Sequence, residues 1–301
     1  MDTEIVSPRY GGIDAWEPAE ILEAMIEGQL ASVAAVRAAR RSIERAALAM
    51  EARLRQGGRL AYAGAGTSGR LAAQDAAELA PTFSWPQERV LFLLAGGEEA
   101  LMQSVEGAED RPDHGAALVR RHEVGAEDVL IALAASGTTP FTLGCLREAK
   151  ARGALTIGIA NNPDTPLLEE ADHGIWLDTG PETIAGSTRM KAGTAQKATL
   201  NLLSSLVMIR LGRVYEGLMV DVQASNKKLV RRSEEMLIHL TRRPRQDVRD
   251  ALEHAGGSVK VAALLLEGCT RAEAEAALES ASGQLRTALE SVRNNVNPAK
   301  T

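Results

Sequence analysis

The chain has 301 residues, 45% of them hydrophobic and 25% charged, with a formal net charge of −6. That length supports one large core, or a main domain with a smaller appendage, in an ordinary globular protein. The acidic balance argues against a nucleic-acid partner, which needs a clustered basic face, and no apolar run reaches the roughly 18 to 20 residues of a membrane helix.

The first residues, MDTEIVSPRYGG, lack the basic-then-apolar order of a signal peptide, so the expected location is cytoplasmic. Residues 17–55 read as a long helix or a helix pair, because Ile21, Leu22, Met25, Ile26, Leu30, Val33 and Val36 recur at helical spacing. Short apolar runs that end in small residues follow: LAYAG (60–64), VLFLLAGG (90–97), VLIALAAS (129–136), LTIGIANN (155–162) and HGIWLD (173–178). Helical patterns separate them, which predicts an α/β fold with a parallel sheet and crossover helices on both faces.

Two of these units look like loose copies. LAYAGAGTSGRLAAQ (60–74) and LIALAASGTTPFTLG (130–144) both run strand, small-residue loop, helix. They place two similar loops at the carboxyl end of one sheet, where ligands of open α/β sheets bind. A third glycine- and hydroxyl-rich turn, GPETIAGSTRMKAGTAQK (180–197), feeds a helix that is apolar nearly all round (198–211) and predicts burial against the sheet or a second subunit. Arg242-Arg243-Pro244-Arg245 reads as a solvated loop. Beyond residue 245 three short helices are expected, broken at Gly256-Gly257 and Gly268, with Thr270 and Glu273 as the capping box of the last. The expected organisation is therefore a helical segment (1–56), a sheet domain (57–245) and a three-helix subdomain (246–301).

Cys145 and Cys269 lie far apart in apolar patterns and read as buried thiols. The five histidines are scattered without metal-ligand spacing, so neither a metal nor a cofactor is expected. The chemistry lies in the loops. Gly64, Gly66 and Gly69 let several backbone N–H groups point at one anion at a helix N-terminus, and Thr67 and Ser68 add hydroxyl donors. A Walker A loop is excluded, since no Gly-Lys-Ser/Thr follows. The GxGxxG spacing alone marks no more than a tight turn, and the acids Glu98 and Glu99 lie too far on for a dinucleotide fold. Ser136, Gly137, Thr138 and Thr139 recur at the equivalent place in the second copy. Two hydroxyl-rich loops at one sheet edge suit a phosphosugar.

Those loops, GAGTSGR (64–70) and ASGTTPF (135–141), resemble the SIS phosphosugar-binding domain, a flavodoxin-like fold. DAAELAPTF (75–83), LAGGEEAL (94–101), VEGAED (105–110), NNPDTPL (161–167) and the 180–201 string resemble the N-acetylmuramic acid 6-phosphate etherase family, over nearly the whole chain from Thr3-Glu4 onward. Ala80-Pro81 stands where that family usually has a proline pair, and Gly28-Gln29 replaces an acidic pair. The resemblance implies a lyase that removes D-lactate from a small-molecule phosphosugar without metal or cofactor, working as a homodimer. It implies Glu78, after the first loop, as the acid that protonates lactate, and Glu109, on the helix after the second strand, as the base at C2; the two roles can be exchanged.

Asp75, one turn before Glu78, offers a second charge to hold the Glu78 proton. From pattern alone, Glu78 reads as a surface residue on an alanine-rich helix, and Glu106, Glu109 and Asp110 as a solvated patch. Glu182, Ser187, Arg189 and Lys191 read either as substrate ligands, with Gly66, Thr67, Ser68 and residues 136–139, or as a capped, charge-paired helix start. Trp85 and Trp176 read as core or interface fillers. An aldose–ketose isomerase and a phosphosugar-sensing regulator of the glucokinase regulatory protein type remain the alternatives.

Overall fold

The computed structural model describes residues 1–222 and 227–296. Three short 3-10 turns, Asp2–Glu4, Pro8–Tyr10 and Ile13–Ala15, precede α1 (Pro18–Ala38) and α2 (Arg40–Arg55). The sheet region runs β1 (Leu60–Gly64), α3 (Gly66–Phe83), β2 (Val90–Leu94), α4 (Pro112–Arg121), β3 (Val129–Leu133), α5 (Pro140–Ala151), β4 (Leu155–Ala160), α6 (Pro166–Glu170), β5 (His173–Trp176) and α7 (Lys191–Arg210). A hairpin, β6 (Val214–Tyr215) and β7 (Leu218–Met219), then leads to α8 (Lys227–Thr241), α9 (Arg245–His254), α10 (Val259–Leu266), α11 (Arg271–Ser280) and α12 (Leu285–Val296).

Contacts divide the chain into two compact units, Met1–Ala77 with Pro86–Ser205, and Glu78–Trp85 with Leu206–Thr301. These bounds run inside α3 and α7, whereas the sequence placed its divisions at 56/57 and 245/246.

In the first unit the strands pair in parallel in the order β2-β1-β3-β4-β5. This is the flavodoxin-type order, whose topological switch point lies between β1 and β3. All five positions of β1 and of β3 are buried, as a sheet covered on both faces requires. Fully burying a Leu or Ile side chain contributes about 1.5–3 kcal/mol, and Leu60, Leu130, Ile131 and Leu133 are each at most 1% exposed. The edge strands are less covered, with Phe92 on β2 and Trp176 on β5 exposed. Cys145 is buried among the helices on one face, where burial pushes its thiol pKa up.

The expected helix pair is α1 and α2, which meet at Ala39. Most apolar residues of α7, Leu200, Leu203, Val207 and Met208 among them, are buried within this chain, while Leu202 and Ile209 are exposed. Asp75 of α3 is 4% exposed, and no cation is among its hydrogen-bond partners. It accepts hydrogen bonds from Tyr62 Oη (2.9 Å), Asn201 Nδ2 (2.7 Å) and Ser204 Oγ (3.1 Å), binding β1, α3 and α7 together. Bonds to a charged group contribute about 1.5–3 kcal/mol each. Burial, and then the neighbouring Asp75 charge, push the Tyr62 pKa well above its ordinary value.

In the second unit, α8 to α12 enclose a core that includes Leu237, Val248, Val259, Leu264 and Leu285. Thr270 and Glu273 form the expected capping box. Among the described residues, four helices rather than three follow residue 244, because Ser282 (φ +52°) and Gly283 (φ +78°) take the left-handed conformation and separate α12 from α11. Residues 242–245 are exposed. Trp85 is 2% exposed, with the Arg213 guanidinium 5.1 Å from its ring centre.

Candidate functional site

Strands β1 and β3 are neighbours, so the loops that leave their carboxyl ends are neighbours too. The first loop opens α3 and the second opens α5, and the two bound one cavity of about 430 Å³. Its lining includes Ala65, Gly66, Thr67 and Ser68 from the first loop and Ala134, Ala135, Ser136, Thr138, Thr139 and Pro140 from the second. Met1, Glu4, Glu109, Asp110 and Thr188 complete it. Among the described residues, no lysine or arginine lines this cavity. An anion held here must be met by hydroxyls, backbone N–H groups and the positive ends of two helices.

The first loop is tight because strand and helix touch. A Cβ on Gly64 would lie 2.9 Å from Gly69 N, and one on Gly69 2.9 Å from Gly64 O. The Ser68 hydroxyl is buried and donates to Gln196 Oε1 of α7 at 2.8 Å, while Gln196 Nε2 donates to Asn161 Oδ1 at 2.9 Å. Asn161 in turn donates to the Leu177 carbonyl at 3.3 Å. This chain of polar groups connects the first loop to the segments that follow β4 and β5. In the second loop, Ser136 Oγ lies 3.3 Å from Thr139 Oγ1 and accepts the Thr138 N–H at 3.2 Å. Gly137 has φ +71° and packs beneath Thr165, whose Oγ1 would be 2.2 Å from an added Cβ.

Glu109 reaches the cavity from the 3-10 turn Ala108–Asp110, before α4 begins at Pro112, rather than from a helix. Arg70, in the first turns of α3, donates to the carbonyls of Ala100 (3.0 Å) and Gln103 (3.3 Å) and so anchors the segment that leads to this turn.

Residues 42–150 match the family model described as the glucokinase regulatory protein N-terminal SIS domain, and residues 112–206 match the SIS domain. The chain is 51% identical, over 95% of its length and 94% of the relative, to the N-acetylmuramic acid 6-phosphate etherase of Deinococcus radiodurans. The chain belongs to the N-acetylmuramic acid 6-phosphate etherase family. The etherase of Streptomyces avermitilis is 45% identical over 96% of this chain and 93% of that relative, and that of Shouchella clausii 42% over 95% and 97%.

Of the residues that the etherase resemblance marks, the structure gathers Gly66, Thr67, Ser68, Ser136, Thr138, Thr139 and Glu109 around one cavity. Gly137 supports the second loop from beneath. Glu78 is exposed and is not among the lining residues. The Asp75 carboxylate, offered as its partner charge, is instead spent on Tyr62, Asn201 and Ser204.

Glu182 and Lys191 are buried at the start of α7. The Glu182 carboxylate accepts the N–H groups of Lys191 and Ala192, both at 2.9 Å, and Lys191 Nζ donates to the Pro181 carbonyl at 2.8 Å. Burial pushes the Glu182 carboxyl up against the opposing pull of those two N–H groups, and burial lowers the Lys191 ammonium. This is the geometry of a capped helix start. Arg189 is exposed, Ser187 is half-buried, and neither lines the cavity, whereas their neighbour Thr188 does. Sequence reasoning did not select Thr188, Gln196, Asn161 or Glu4. Thr188 and Gln196 stand within the string most specific to the family, which was the available signal. Among the described residues, no group of three or more His, Cys, Asp or Glu side chains is placed to hold a metal ion.

Proposed function

We infer that the chain cleaves the D-lactyl ether of N-acetylmuramic acid 6-phosphate, giving N-acetylglucosamine 6-phosphate and D-lactate, in the recycling of cell-wall sugar. The observation that carries this reading is identity of 42–51% to etherases over about 95% of the chain. A cavity rich in hydroxyls and helix N-termini at the β1/β3 switch point supports it from the chemical side. An alkyl ether resists direct hydrolysis, but its oxygen here lies β to C1. Once the sugar ring opens to an aldehyde, the C2 proton is acidified, lactate leaves by elimination, and water adds at C3. The sequence needs a base at C2 and an acid for the departing oxygen.

Glu109, which shares the cavity with both loops, is assigned as the base. Glu78 is assigned as the acid on family resemblance alone. Glu78→Gln is expected to retain C2 hydrogen exchange in deuterated water while lactate release falls at least about a hundredfold, a typical acid–base contribution. Glu109→Gln is expected to lose both, because deprotonation comes first. Exchange that survives in the Glu109 variant and vanishes in the Glu78 variant reverses the roles. Full lactate release by both variants removes these residues from catalysis.

We propose further that the chain works as a homodimer. The support is an apolar stripe on α1, where Leu22 (60%), Ile26 (51%), Leu30 (67%) and Val33 (57%) are left to solvent at helical spacing. Light scattering at micromolar concentration is expected to give about twice the 32.0 kDa chain mass. A chain-sized mass with full activity would refute the proposal.

A further inference from the structure

The 3-10 turn Asp2–Glu4 carries a carboxylate to the cavity from the far end of the sequence. Thr3 is 1% exposed and acts as a clasp. Its N–H donates to Asn162 Oδ1 (3.3 Å), its Oγ1 accepts from Asn162 Nδ2 (3.1 Å), and its carbonyl accepts the Gly186 N–H (3.1 Å). Asn162 Nδ2 also donates to the carbonyl of Ala135, a cavity-lining residue of the second loop, at 2.8 Å. The clasp therefore ties the N-terminal turn to the segment after β4, to the turn before α7 and to the second loop.

The next residue, Glu4, lines the cavity with Thr67, Ser136, Glu109 and Thr188. Gly186 leaves room for it: an added Cβ would lie 2.9 Å from Glu4 Oε2, on a backbone with φ +74°. A carboxylate beside an anion site repels a bare phosphate ion. Its chemistry suits the other part of a phosphosugar, whose hydroxyls donate charge-assisted hydrogen bonds to a carboxylate.

We propose that Glu4 is a specificity-determining residue whose carboxylate accepts hydrogen bonds from the sugar hydroxyls of the bound phosphosugar, with Thr3 and Asn162 as the residues that position it. The proposal rests on the phosphosugar reading of the cavity. It makes the N-terminal turn a wall of the site that favours sugar phosphates over inorganic phosphate.

The test is calorimetric titration of the full chain with N-acetylglucosamine 6-phosphate and, separately, with inorganic phosphate. Glu4→Gln is expected to bind the sugar phosphate about ten- to a hundredfold more weakly, the range of a charged hydrogen bond, and to bind inorganic phosphate at least as well as the parent. Thr3→Val is expected to weaken sugar-phosphate binding by a smaller factor, through a loosened clasp. Parent-like sugar-phosphate affinity in Glu4→Gln overturns the proposal, and so does an equal loss for both ligands, which marks a structural role. A parent chain that binds neither ligand overturns the phosphosugar reading itself, and this proposal with it.

Discussion

The loops after β1 and β3 hold the same kinds of residue in the same place, yet their glycines and hydroxyls are committed differently. In the first loop Gly64 and Gly69 serve close packing of strand on helix, Gly66 (φ +52°) stands in open space, and the Ser68 hydroxyl is spent on Gln196. In the second loop the positive-φ glycine is wedged under Thr165, and the hydroxyls of Ser136 and Thr139 lie against each other at the cavity wall. The first loop is fixed by its hydroxyl and the second by its glycine. One residue pattern at one position in two repeated units thus commits its glycines and hydroxyls to structural support in opposite ways.

The largest test of that difference is Gly137→Ala against Gly66→Ala. Both substitutions put a side chain on a left-handed backbone, at about 1–2 kcal/mol. Only Gly137→Ala also drives a Cβ to 2.2 Å from Thr165 Oγ1, and overpacking adds about 1–3 kcal/mol. Denaturant unfolding is expected to show the greater loss at position 137, together with loss of phosphosugar binding. Equal losses at the two positions would erase the distinction.

A smaller contrast separates the hydroxyls. Ser68→Ala leaves Gln196 Oε1 without its donor in a site where Gln196 is 1% exposed, a cost of about 1–3 kcal/mol. Ser136→Ala removes bonds made within a half-buried loop and is expected to cost no more than about 1 kcal/mol of stability. For N-acetylglucosamine 6-phosphate affinity the order inverts, with the larger loss at Ser136. Melting and titration curves that rank both variants the same way would break the comparison.

The fold was legible where local pattern determines it. Buried parallel strands read as short apolar runs ending in small residues, and all five runs are strands. The two-residue strands β6 and β7 gave no such run, and the hairpin turns on left-handed Glu216 (φ +48°) and Gly217 (φ +74°), which mark a turn only once the chain reverses. The loops were legible as candidates from their glycine and hydroxyl spacing together with the family resemblance, and Glu109 from the resemblance alone. The commitment of each side chain was not legible, since its partner is remote in sequence. Ser68 meets Gln196 128 positions away, and Thr3 meets Asn162 159 positions away. For Glu182 the two readings were separable only by seeing its carboxylate on the first N–H groups of α7.

The proposed reaction removes lactate from a phosphosugar held by these two loops, by elimination followed by addition of water. The most direct measurement is turnover of N-acetylmuramic acid 6-phosphate in oxygen-18 water, with mass analysis of both products. The expected products are D-lactate free of label and N-acetylglucosamine 6-phosphate carrying the label at C3. Label in the lactate, or no lactate at all, would contradict the proposed reaction.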